Sequence, residues 1–338
     1  MKNMILLPST VAGLWFAAAA VGYAQSTNPP ADNRLDIREW LVPWEDSRPR
    51  DPYVAGDGRV WFVGQRGHYV ANLTPEANQF NRYDLPSGTG PHNLIVDDNG
   101  DIWYAGNLAR HIGLLDPDTG LITRIEMPDR SARDPHTLTF DSRGDIWFTV
   151  QQGNFVGKLT RADRRVQLIE VPTGRSRPYG IVVDSKDVPW VVEFGSNKLL
   201  RIDPQSMTAQ EIELPDEDSR PRRLVITSDD NIWYGDYSRG YLGRYDPATG
   251  EFAEWPMPGG ADSRPYGMAV DRNDKIWIVE TGISPNRFVG FDAATEEFVS
   301  MTDIPSGAGA VRHMDYFAPA GEIWFGTDTN YIGRAKVH

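Results

Sequence analysis

The sequence predicts a seven-bladed β-propeller made of four-stranded antiparallel blades, and three observations lead there. Seven tryptophans, Trp61, Trp103, Trp147, Trp190, Trp233, Trp277 and Trp324, recur at intervals of 42, 44, 43, 43, 44 and 47 residues. Around them lies hairpin grammar: short apolar, β-prone runs on either side of a turn-forming cluster. The chain also begins with a fragment of the repeat that its last copy lacks. Four strands in a unit of forty-odd residues is the pattern of a propeller blade, and such an array grows as a single body.

The chain opens with a secretory signal pattern over residues 1–24. Lys2 supplies the positive region, Met4 to Val21 the apolar run, and Gly22-Tyr23-Ala24 a small-x-small cleavage site. Pro8, Ser9 and Thr10 interrupt a run already short for a membrane span, which argues against an uncleaved anchor. Residues 25–33 are polar and contain two prolines, as in a flexible leader. The expectation is a secreted or periplasmic protein, free of the membrane after cleavage and monomeric, with residues 34–338 forming one propeller domain.

Within each unit the first two strands flank a turn, as in Leu94-Ile95-Val96, then Asp97 to Gly100, then Ile102-Trp103-Tyr104. A third strand follows with an apolar-Gly-basic core, as in Tyr241-Leu242-Gly243-Arg244, and then a turn at Asp246 to Gly250. The fourth strand ends at a proline: Pro86, Pro128, Pro172, Pro215, Pro258 and Pro305. An outermost strand tolerates proline because its missing N–H faces no partner. The seventh unit stops after its third strand, and the orphan fourth-strand pattern stands at Leu35 to Pro43. Pairing of residues 35–42 with 331–337 closes the ring and removes two open sheet edges. The tryptophans are the largest apolar groups in each blade and read as packing between sheets, and the turn Gly and Asp residues are likewise structural.

Composition narrows the function. With 34 basic against 47 acidic residues the net charge is −13, which disfavours nucleic acid as a partner and leaves a small molecule. The absence of cysteine excludes disulfides, thiolate metal sites and a Cys nucleophile.

Chemistry belongs where a regular repeat varies. Eleven residues before each Trp, just inside the inner strand, stand Arg50, His92, His136, Tyr179, Arg222, Tyr266 and His313. Three or four residues after the Trp stand Glu193, Asp236, Glu280 and Asp328. Both sets should face each other across the open end of the hairpin, about 5 Å apart between Cβ atoms. Seven hairpins around one axis then bring basic, aromatic and acidic groups to one mouth of the channel, the default place for a pocket. Three of the six histidines fall in this ring; His68, His111 and His338 are given no role.

The repeated Pro-(His/Tyr)-Gly-Ile, the Ile-Trp-Phe/Tyr run and the Ile-Gly-Arg third strand resemble the virginiamycin B lyase (streptogramin lyase) family over nearly all of residues 34–338. The resemblance implies a seven-bladed propeller and a Mg²⁺-assisted elimination that opens a cyclic depsipeptide antibiotic, and so antibiotic resistance. It puts His313 at the position of the general base and Asp328 at that of a metal ligand. Val311 stands where the family pattern has a second metal carboxylate, Arg312 where it has Pro, and Tyr266 where it has a substrate-contacting His. Glu280 of the neighbouring blade is the available replacement ligand. An imidazole accepts a proton near neutrality, and carboxylates suit a hard cation such as Mg²⁺ or Ca²⁺.

Three functions compete at this point. In a metal-assisted carbon–oxygen lyase, His313 is the base, Asp328 and Glu280 hold the metal, and Tyr266 and Arg222 contact substrate or stabilise an oxyanion. In a hydrolase resembling gluconolactonases, Glu193, Asp236 and Glu280 hold a central divalent cation. In a non-catalytic module, Arg50, Arg222 and the ring aromatics grip an anionic or sugar-like ligand.

Overall fold

The computed structural model describes residues 33–337, so the signal pattern, most of the leader and His338 lie outside the described residues. Twenty-eight strands, β1 to β28 in chain order, form seven four-stranded sheets. Six blades take their strands in sequence, each beginning with an inner strand. These are β2 (Pro49–Val54), β6 (Pro91–Val96), β10 (Pro135–Phe140), β14 (Pro178–Val183), β18 (Pro221–Ile226) and β22 (Pro265–Val270). The seventh blade begins with β26 (Val311–Phe317) and ends by adding β1 (Asp36–Leu41) to β28 (Tyr331–Lys336). That pairing is antiparallel from Asp36↔Lys336 to Leu41↔Tyr331, as the complementary ends predict. Asn33, expected in the flexible leader, is instead tied to the outer strand of the sixth blade. Its side chain donates to the Val299 carbonyl at 3.0 Å, and Ser300 donates to its carbonyl at 2.5 Å.

The repeat is legible in the core. Each tryptophan is buried between blades. In four blades its indole N–H reaches the Asp that opens the preceding turn: Trp103 to Asp97 at 2.9 Å, Trp147 to Asp141 at 3.2 Å, Trp190 to Asp184 at 2.9 Å and Trp277 to Asp271 at 2.9 Å. In the fifth blade Thr227 accepts from Trp233 at 3.1 Å instead. A buried indole N–H needs such a partner, and the same carboxylate caps backbone N–H groups of the turn, which explains why Asp recurs there. The third-strand glycine has an equally local cause. Gly113, Gly157, Gly243 and Gly333 lie directly across from Tyr104, Phe148, Tyr234 and Phe325, whose rings cover them. A Cβ added at these glycines would come within 2.0, 2.1, 2.1 and 2.2 Å of the facing ring.

In every blade the register between the first two strands shifts at the start of the inner strand, for example between Pro91 and Leu94 and between Pro178 and Ile181. The shift is a β-bulge, in which two residues of one strand oppose one of its partner. It decides what reaches the axis.

Candidate functional site

The seven residues counted back from the tryptophans occupy this bulge, and they converge. The His92 and His136 rings lie 3.6 Å apart, His136 and Tyr179 4.1 Å, and Tyr179 and Tyr266 6.1 Å with their hydroxyls in hydrogen-bond contact. The Arg222 guanidinium lies 3.8 Å from the centre of the Tyr266 ring. These side chains fill one another's space and plug the channel rather than line an open pocket: Arg50, His92, His136, Tyr179 and Tyr266 are all buried. Arg222, Arg312 and His313 alone keep partial exposure among the inner-strand residues Arg50, His92, His136, Tyr179, Arg222, Tyr266, Arg312 and His313. Two surface clefts of about 420 and 440 Å³ lie elsewhere, lined in one case by Asp271, Asn273 and Tyr316 and in the other by Tyr53, Asp97 and Asn99.

A second set of residues, one position further along each strand, also reaches the axis. Asp51 of the first blade takes Arg50 Nε at 3.0 Å, Arg223 Nη2 of the fifth at 3.3 Å and Asn93 Nδ2 of the second at 3.2 Å. Arg223 further donates to Thr137 Oγ1 of the third blade at 3.1 Å and to the Arg312 carbonyl of the seventh at 2.9 Å. Thr137 Oγ1 in turn meets His136 Nδ1 at 2.9 Å. One guanidinium therefore ties the fifth blade to three others, the first, third and seventh, at the hub. Asp51, Asn93, Thr137 and Arg223 escape a reading of the sequence by strand alternation, because the bulge lets neighbouring residues share one side. The available signal is the residue that follows the ring position, polar in the first, second, third and fifth blades but Gly180, Gly267 and Met314 in the others.

The expected direct pairing of ring residues with Glu193, Asp236 and Glu280 does not occur. The bulge leaves those carboxylates opposite Pro178, Pro221 and Pro265. Each is buried and engaged within its own blade. Glu193 accepts from Ser196 at 2.6 Å, Asp236 accepts the Arg220 amide at 3.0 Å and pairs with Arg239 at 3.2 Å, and Glu280 pairs with Arg287 at 2.6 Å while accepting the Gly259 amide at 2.6 Å. Asp328 pairs with Arg312 and, at 3.5 Å, with Arg48. Among the described residues no group of three or more His, Asp or Glu side chains is placed to hold a metal ion. The donor set thus does not fit a Mg²⁺ or Ca²⁺ site: the carboxylates named for one are separated, Asp236, Glu280 and Asp328 are already matched by guanidiniums, Glu193 is held by Ser196 within its own blade, and Val311 is apolar.

Electrostatics set the protonation states at the hub. Burial disfavours a charged Asp51, but Arg50 and Arg223 override it and hold the carboxyl well below the usual carboxylate range. Burial and the surrounding guanidiniums push His92 and His136 well below the ordinary imidazole value, so both stay neutral. His313 is lowered to about 4 by burial and by Arg223, with Asp51 working against them. Burial opposes ionisation of Tyr179 too, yet Arg222, Arg223 and Arg50 bring it down to about 8; Tyr266 is raised by burial and by its partner Tyr179. The arrangement offers a neutral, partly exposed imidazole beside guanidiniums that outnumber their buried carboxylate.

A model of the virginiamycin B lyase family matches residues 9–286. Among solved structures the chain is similar to selenomethionine-substituted virginiamycin B lyase from Staphylococcus aureus, with a TM-score of 0.81 at 23% identity, covering 90% of this chain and 100% of that one. It is similar in the same degree to a streptogramin B lyase, with a TM-score of 0.81 at 25% identity, covering 90% and 98%. A catalytically inactive histidine-to-alanine variant of the S. aureus lyase, solved with quinupristin, matches at 23% identity and a TM-score of 0.81, covering 90% and 100%. Among curated proteins none matches this sequence. Seven blades of the same construction and a family match over most of its length have one reading: the chain belongs to the virginiamycin B lyase family.

Proposed function

We propose that the protein is a carbon–oxygen lyase acting on an ester-containing small molecule, with His313 as the general base. The observation that carries this reading is the partly exposed His313, neutral above about pH 4, next to two guanidiniums that share a single carboxylate. In the step envisaged, His313 takes the proton from the carbon next to a carbonyl. The released electron pair forms a C=C bond to the neighbouring carbon, and the C–O bond there breaks, expelling the ester oxygen as a carboxylate. Negative charge grows on the carbonyl oxygen on the way, and the surplus positive charge of Arg50 and Arg223 favours that charge in a site of low dielectric. The S. aureus relative is inactive when one histidine is replaced by alanine, which supports assigning the base to a histidine. Because the candidate carboxylates are separated, and three of the four are matched by guanidiniums, no step is assigned to a metal. The hydrolase reading loses its motive for the same reason, since Glu193, Asp236 and Glu280 do not meet. The reading includes export, on the strength of the signal pattern at residues 1–24.

Quinupristin is the substrate to offer first. Elimination gives a product with a new ultraviolet absorbance and no ¹⁸O taken from labelled water, whereas hydrolysis incorporates one ¹⁸O per bond cleaved. His313→Ala should lower turnover by about 10²-fold or more, the usual contribution of a general base. Residual activity within about tenfold of wild type would remove His313 from that role. Removal of divalent ions with EDTA and return of Mg²⁺ should leave the melting temperature unchanged. A ligand at a hundred times its Kd would add about 2.7 kcal/mol, so a shift of several degrees would restore the metal reading.

A further inference from the structure

Arg222 is held by aromatic faces instead of by a counter-charge. Its guanidinium lies 3.8 Å from the Tyr266 ring centre, 4.4 Å from Tyr237, 4.5 Å from Phe194 and 5.2 Å from Tyr179. Among the described residues no carboxylate forms a salt bridge with it, and its buried Nε has no hydrogen-bond partner. Arg50, only 4% exposed, is in a similar state: Nε meets Asp51, Nη1 meets Gln65 Oε1 at 3.0 Å, and Nη2 is buried without a partner. His92 Nδ1, beside them in the ring, is also unpartnered. Buried polar atoms left unmatched are costly and are rare in native proteins, so two guanidinium donors and an imidazole nitrogen in one ring call for an explanation.

Charge points the same way. Arg50, Arg222 and Arg223 converge on the Tyr179–Tyr266 pair, and Asp51 is the one carboxylate bonded to any of them among the described residues. This local excess of positive charge sits in a chain whose net charge is −13. A cation pressed on aromatic rings keeps its N–H edge available, and a guanidinium edge matches a planar carboxylate. Phe194 and Tyr237, both partly exposed, offer flat apolar surface next to that edge.

We propose that this side of the ring is a binding site for a small-molecule anion, a carboxylate attached to a flat apolar body, with the partly exposed Arg222 as the group that holds it. The inference deepens the proposed function by giving its substrate a charge, and it rests on that reading only for the claim that what binds is the substrate.

The test uses sodium benzoate as the probe, with inorganic phosphate as the competing oxyanion, at constant ionic strength made up with sodium chloride. Titration calorimetry and thermal shift on the full chain should show saturable benzoate binding. Arg222→Gln should weaken it by about tenfold or more, the worth of one charge-assisted hydrogen bond. Arg66→Gln, which removes an exposed guanidinium paired with Asp46, should leave it unchanged. His313→Ala should also bind benzoate as wild type does, so binding is read separately from turnover. No saturable binding to wild type, or an equal loss in the two arginine variants, would overturn the proposal. So would saturation by phosphate alone, which would make the site one for inorganic oxyanions.

Discussion

His313 illustrates how far surroundings can move a side chain from its ordinary chemistry. Burial and Arg223 lower its pKa to about 4, so the folded protein holds it neutral where an exposed imidazole would begin to charge near 6.5. The stability this arrangement contributes is present above about pH 6.5 and is lost as pH falls through about 4. As a general base, His313 should therefore give kcat/KM an acid limb near pH 4, and a limb near 6.5 would show that the titrating group is elsewhere. Asp51 carries a heavier structural load. Asp51→Asn leaves Arg50 and Arg223 buried with no counter-charge, and loss of one partner from a buried ion pair costs about 3–5 kcal/mol. Denaturant unfolding should register that cost, while Asp46→Asn, at an exposed pair, should cost under about 1 kcal/mol. Counting from the tryptophans found Arg50 and His313, but not Asp51 or Arg223. A two-residue strand period assigns neighbours to opposite faces, and the bulge cancels that rule at the one place where it matters for the site.

At the level of the strand, two kinds of glycine carry opposite predictions. Gly157 lies under the Phe148 ring, and a Cβ there would come within 2.1 Å of it; a Cβ at Gly174 would meet nothing within 4 Å. Gly157→Val should thus cost about 1–3 kcal/mol or more through overpacking, and Gly174→Ala should stay within about 0.5 kcal/mol of wild type. Equal effects at the two positions would mean that the aromatic cover is not what selects glycine in the third strand. The carboxylate at the end of the second strand answers to its immediate surroundings in the same local way. Glu193, buried with Oε1 unpartnered, is raised to about 7 by burial, against the pull of Ser196. Its protonated form is favoured in the fold, so its contribution is complete below about pH 4.5 and lost as pH rises through about 7. Glu193→Gln should leave stability at pH 5 nearly unchanged and raise it at pH 8 by on the order of 2 kcal/mol. The strands, turns and tryptophans were legible because each repeats seven times with its spacing intact. The partners of Glu193, Asp236 and Glu280 were not, because Ser196 and Arg239 reach back from the turn after the strand while Arg287 faces Glu280 from the third strand, and the repeat spacing marks neither.

The ring as a whole depends on a joint between residues nearly three hundred positions apart. β1 supplies the outer strand of the seventh blade, and Trp40, 4% exposed, stacks on Trp324 with ring centres 5.3 Å apart. The Arg38 guanidinium also lies over the Trp40 ring at 4.5 Å, and Glu39 accepts from the Ser306 amide at 2.7 Å. Without β1, β28 would present an unpaired edge and Trp324 an uncovered face, and the first and seventh blades would keep only their inner contacts. An open edge is a template for association with other chains. Deleting residues 34–42 should therefore lower the melting temperature and make the protein aggregate on warming. Trp40→Ala, which keeps the strand and removes only the stack, should cost about 3–5 kcal/mol, the range for a buried aromatic replaced by alanine. A synthetic peptide of residues 34–42 should restore the melting temperature of the truncated chain in a concentration-dependent way, since binding to the folded state alone stabilises by mass action. If the truncated chain instead melts with the full-length protein, and the peptide changes nothing, the hub residues are held in register by the inner strands alone and the closure is not what fixes the site.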